Sequence, residues 1–85
     1  MVMTMFKNRL ETGRRNLVGL KMKEYRLKLR NSPSQRAFAE LLQMSGLDVD
    51  KNAVQRMESG ERFITDIELK VLAEVLGVTY EDLLD

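Results

Sequence analysis

Three apolar pairs between Val49 and Leu84 constrain this chain most: Val49 with Val54, Ile64 with Leu69, and Val78 with Leu83. Each pair flanks a polar residue, Asp50, Thr65 or Thr79, that can cap a helix. This is the spacing of the hydrophobic staple, in which the residue before the cap packs on the fourth helical residue and fixes the angle of entry. After two of the caps the third helical position is acidic, Glu68 after Thr65 and Asp82 after Thr79. There the cap side chain can accept the N–H of the acidic residue while the carboxylate accepts the N–H of the cap. So many helix starts in so short a stretch leave little room for a sheet, and the chain has a single proline and few β-branched runs.

The first half reads the same way. A helix is expected over 18–30, with Leu20 and Leu27 facing inward together with Tyr25 or Leu29. The stretch Asn31-Ser32-Pro33-Ser34 ends it, because Pro33 disfavours helix at Ser32. Ser32 or Ser34 could cap the next helix, and Ser34 fits better because it puts Phe38 at the fourth helical position. That second helix carries Phe38, Ala39, Leu41 and Leu42 and stops at Ser45-Gly46, glycine being suited to the left-handed closing position. The third runs from Asp50 to Ser59-Gly60, and Gly77 closes the fourth. At 85 residues this is one small domain. The expected fold class is all-α, a compact bundle of five short helices.

Composition removes several functions. Hydrophobic residues at 44% and charged residues at 32% describe a folding chain rather than a disordered one. The absence of Cys excludes a disulfide framework and thiolate metal sites. The absence of His removes the usual general base and the commonest metal ligand. No nucleophile-base pair or metal cluster is visible, so no catalytic residue, metal or cofactor is expected. No run approaches the roughly 20 apolar residues of a membrane span, and charges begin at Lys7 where a signal peptide needs an apolar run. A cytoplasmic protein with no membrane partner is expected.

The net charge of +1 hides a gradient. Residues 1–30 carry nine Lys or Arg against two Glu, residues 31–62 four against five acids, and residues 63–85 one against six. A basic first third is compatible with phosphate contact, and equally with a solvated helix face; the acidic last third would lie away from any phosphate.

At about 100° per residue, Lys51, Asn52, Gln55, Arg56 and Ser59 fall on one side of the third helix, and Ala53, Val54 and Met57 on the other. Arg and Lys can bond guanine O6 and N7, and Asn and Gln can pair with adenine N6 and N7. The polar face therefore carries groups able to tell bases apart, although a solvated helix face uses the same residue types.

The run from Gly19 to Leu84 resembles the phage-repressor and Cro-like (XRE-type) helix-turn-helix family. In that family a Ser or Thr followed by Gln opens helix two, an apolar-Ala pair follows, and helix three ends in apolar-Glu-x-Gly. The corresponding residues are Ser34-Gln35, Phe38-Ala39 and Met57-Glu58-Ser59-Gly60. The segment from Leu69 to Leu84 is similar to the family's last two helices. The resemblance implies a lambda-repressor-like DNA-binding domain, with Lys51, Asn52, Gln55 and Arg56 facing the bases and Lys51 and Asn52 nearest the groove floor. It implies that Gln35 bonds a phosphate and braces the reading helix, and that Arg62 and the backbone around Phe63 hold a second phosphate. It also implies a structural pair between Arg26 and Glu58.

The family's turn between helices two and three is about three to four residues, and the distance here is about five residues longer, with Gln43 to Leu47 as the insertion. Asp48 and Asp50 would weaken phosphate binding unless Asp50 is consumed as a cap and Asp48 points away.

Residues 1–17 lie outside the resemblance and read as an extension, the domain proper spanning 18–85. Met1, Met3, Met5 and Phe6 form a small apolar cluster, and Lys7, Arg9, Arg14 and Arg15 a basic one. These suit a DNA-tracking arm, a dimer contact or a frayed end, disorder being the default for a terminus without visible packing. The functional expectation is a sequence-specific, double-stranded DNA-binding transcriptional regulator, acting as a homodimer. The alternative is a protein-interaction module, such as the antitoxin of a toxin pair, holding its partner through the acidic C-terminal helices.

Overall fold

The computed structural model describes residues 13–85, and every regular element among them is helical. In chain order these are α1 (Gly19–Lys28), α2 (Gln35–Met44), α3 (Lys51–Ser59), α4 (Asp66–Leu76) and α5 (Tyr80–Leu84). The all-α expectation holds. Helix α3 packs against both α1 and α2, α4 closes the core against α1 and α2, and α5 folds back against α1 and α4. Phe38, Met22, Leu42, Met57, Leu72 and Leu83 are fully enclosed at the centre.

The helix starts follow the sequence signals. Ser34 Oγ accepts from the Ala37 N–H at 3.1 Å, and Asp50 Oδ1 from the Ala53 N–H at 2.8 Å. Thr65 and Glu68 exchange both bonds of the capping box, at 3.1 and 2.9 Å. Thr79 and Asp82 do the same at 3.0 Å each. The staple residues Val49, Val54 and Leu83 are buried, and Ile64, Leu69 and Val78 pack against the core. Caps of this kind satisfy N–H groups that have no partner within the helix, and so decide where a short helix begins.

The longer turn is built from ordinary parts. After α2 the Leu47 N–H reaches back to the Leu42 carbonyl and the Gly46 N–H to that of Gln43, each at 3.0 Å, with Gly46 left-handed at φ 93°. That pair of bonds satisfies two carbonyls that the helix end would otherwise orphan. Gln43 Nε2 then donates to the Val49 carbonyl at 2.7 Å, tying the end of α2 to the start of α3. The added residues therefore extend α2 and its loop and leave the capped start of α3 intact.

The expected inward face of α1 needs correction. Leu20 and Leu27 do not face the core: they are 63% and 48% exposed, and α1 buries Gly19, Met22 and Arg26 instead. The cause is a polar group in the inward stripe. Arg26 turns in to meet Glu58, while Gly19 lies so close to the Met57 carbonyl that a Cβ there would collide with it. Leu41 is likewise on the exposed side of α2, at 38%. Asn16 Oδ1 accepts from the Gly19 N–H at 2.7 Å and so starts α1, and residues 14–16 are bonded to the end of α3. The ordered unit thus begins ahead of residue 18. The clusters expected from Met1 to Arg9 lie outside the described residues. Among the described residues no helix is long and apolar enough to cross a membrane.

Candidate nucleic-acid interface

Helix α3 has one sealed side and one open side. Val54, Met57 and Glu58 are buried and Ala53 is half-buried, whereas Lys51, Asn52, Gln55, Arg56 and Ser59 are all exposed. The four residues expected to face bases therefore lie together on a single solvent-facing surface. A shallow concavity where α2 meets the first turn of α3 is lined by Arg36, Glu40, Gln43, Asp50, Lys51 and Asn52. Asp50 spends one carboxylate oxygen on the cap, and Asp48 is exposed in the turn.

Behind that face, three elements converge on the Glu58 carboxylate. Arg26 Nε donates to Oε2 at 2.7 Å, Arg26 Nη2 to Oε1 at 3.0 Å, and Gln35 Nε2 to Oε1 at 3.0 Å. Arg26 Nη1 also donates to the Pro33 carbonyl at 2.8 Å. One guanidinium therefore links α1, α3 and the turn before α2, and Gln35 adds the first turn of α2. The Arg26 and Glu58 side chains are only 7% and 3% exposed. Taking both charges out of water costs most of what their attraction returns, so the net effect is orientation of α3 more than stability. Gln35 retains a second amide hydrogen and its first-turn position on α2 for an outside acceptor.

Arg62, expected at a phosphate, is paired within the structure. Its Nη1 and Nη2 donate to Glu68 Oε1 and Oε2 at 3.0 and 2.9 Å, and Nη1 also to the Phe63 carbonyl at 3.2 Å. The hydrogen bonds to Glu68 raise the Arg62 pKa further against the smaller effect of burial. Burial alone would push the Glu68 carboxyl up, but the Arg62 bond and the Thr65 N–H outweigh it and hold Glu68 below the usual carboxylate value. Arg62 is thus bonded to the start of α4, with its side chain still 33% exposed. Phe63 is half-exposed beside it.

Sequence reasoning placed Arg14 and Arg15 only in a basic cluster and missed Asn16; the structure bonds all three to the end of α3 or just beyond it. Arg14 Nη1 and Nη2 donate to the carbonyls of Ser59 and Glu58 at 3.1 and 2.7 Å. Asn16 Nδ2 donates to those of Met57 and Arg62 at 3.0 and 2.7 Å, and the Arg15 N–H to that of Gly60 at 2.8 Å. The last carbonyls of α3, which carry the negative end of its dipole, are thereby held by a cation and by N–H donors from before α1. The Arg14 side chain also lies over Gly60, whose φ of 84° favours glycine and where a Cβ would come within 2.8 Å of the Arg14 Cζ. The Asn three residues before Gly19 was the available signal, since Asn is a preferred cap.

Comparison with known proteins agrees with this geometry. No curated protein and no solved structure matches the chain. The family model described as helix-turn-helix matches residues 22–83, which takes in all of α2, α3 and α4, the Arg26–Glu58 pair and most of α5. The chain therefore belongs to the phage-repressor and Cro-like helix-turn-helix family, a family of DNA-binding domains.

Proposed function

We propose that this protein is a sequence-specific regulator of transcription that binds double-stranded DNA with α3 in the major groove. The observation that carries this reading is the two-sidedness of α3, buried along Val54 and Met57 and open along Lys51, Asn52, Gln55 and Arg56. Those four side chains supply both guanine-reading and adenine-reading groups. Gln35 and the backbone at Phe63 hold phosphates on either side, and the Arg26–Glu58 pair keeps α3 at a fixed angle to α1 and α2.

A single module of this size reaches few bases, so the active form is a homodimer spanning two half-sites about 34 Å apart, one helical turn. The apolar surface where Ile67, Tyr80 and Leu84 are exposed between α4 and α5 supports a protein contact on the acidic side of the molecule. The same surface favours the second reading, an interaction module such as an antitoxin, in which a different protein covers it.

Selection of bound sites from random duplex DNA tests the first reading. A defined motif, repeated at the half-site spacing, is expected. Lys51→Ala and Arg56→Ala should each cost about 1–3 kcal/mol of binding and relax the preference at one position. A selected pool with no motif, or unchanged affinity and preference in both variants, would remove α3 as the reader.

A further inference from the structure

Three arginines surround the C-terminal end of α3, and two of them are committed. Arg14 is spent on the Glu58 and Ser59 carbonyls, and both terminal nitrogens of Arg62 are bonded to Glu68. Arg15 differs. Its backbone N–H is pinned to the Gly60 carbonyl at 2.8 Å, which fixes its position at the last turn of α3. Its side chain is exposed, with the guanidinium carbon 5.8 Å from the centroid of the half-exposed Phe63 ring. Among the described residues no oxygen accepts a hydrogen bond from that guanidinium. A cation over an aromatic face is oriented without being neutralised, and it keeps its N–H groups for another acceptor.

The dimensions place a DNA strand at this point. A helix of nine residues is about 13 Å long, and the major groove is about 12 Å wide. With the start of α3 at the bases, its far end meets the wall of the groove, where phosphates lie. The negative end of the α3 dipole would repel a phosphate there, and Arg14 already offsets it.

We propose that Arg15, stacked on Phe63, is the cation that contacts the DNA backbone at the C-terminal end of α3, the position that family resemblance gives to Arg62. This rests on the DNA-binding reading above. The contact is independent of sequence, because it is made to phosphate, and it makes the segment ahead of α1 part of the binding surface.

Salt titration of the full chain on a mixed-sequence duplex of about 20 base pairs tests it, since each phosphate contact contributes about 0.9 to the slope of log K against log salt. Arg15→Ala should lower the slope by about one contact and weaken binding similarly on a selected operator and on the mixed duplex. Arg15→Lys should restore the slope, which a merely structural role for the residue would not require. Arg62→Ala should keep the wild-type slope while lowering the melting temperature. An unchanged slope in Arg15→Ala, or the loss of one contact in Arg62→Ala instead, overturns the assignment to Arg15 while leaving the DNA-binding reading standing. Failure of the wild-type chain to bind either duplex at low salt overturns both.

Discussion

Two arginine-glutamate pairs of nearly identical geometry hold this domain, and they do different things. Arg26–Glu58 and Arg62–Glu68 are both two-pronged, with closest N–O distances of 2.7 and 2.9 Å. The first is enclosed on all sides and joins elements 32 residues apart; the second spans six residues, and its Arg62 side chain is 33% exposed. Enclosure sets the difference. A buried pair cannot lose one partner without stranding the other charge away from water, whereas removing the 33% exposed Arg62 opens Glu68, itself 10% exposed, to solvent and leaves it the Thr65 N–H. The buried pair thus fixes the geometry of three helices, and the outer pair pins one corner, the start of α4.

The largest break in that comparison should come from Arg26→Met, which strands Glu58. It is expected to lower stability by about 3–5 kcal/mol in urea unfolding. The double variant with Glu58→Met should recover most of that loss, because two apolar side chains carry no stranded charge. Arg62→Ala comes next, with a cost of about 1 kcal/mol or less by the same measurement. If the two single arginine variants cost the same, burial does not separate the pairs.

The smallest effect is in pH. Glu68 is held below its ordinary value in the folded state, so its contribution is fully present above the ordinary Glu value and is lost as pH falls through the folded one. Glu68→Gln keeps the capping box but removes the titration. Its stability should fall less steeply than wild type below about pH 4.3, the usual Glu value. An acid limb identical to wild type would assign the loss to other carboxylates.

The two pairs were also unequally visible beforehand. Helix starts at Ser34, Asp50, Thr65 and Thr79 were legible because a cap and its staple lie within five residues, so the sequence contains the whole interaction. The inward face of α1 was not legible. A hydrophobic pattern assigns Leu20 and Leu27 to the core; the family resemblance pairs Arg26 with Glu58, but that this pair takes the inward stripe of α1 shows only once the two helices are together. The Arg62 pairing was hidden for the opposite reason: an arginine free in solvent is indistinguishable in sequence from one bonded to Glu68. The exposed face of α3 from Lys51 to Arg56 followed from helical periodicity alone. The bonds of Arg14 and Asn16 to the end of α3 had no sequence signal, since their acceptors are backbone oxygens 41 to 46 residues away and every residue type carries one.

That last feature bears on how such a domain can change. The segment ahead of α1 grips α3 by its main chain, at the carbonyls of Met57, Glu58, Ser59 and Gly60. The grip is indifferent to which side chains the outer face displays. Lys51, Asn52, Gln55 and Arg56 can be exchanged for other readers without loosening what holds the helix, so a new operator preference can arise on an unaltered mount.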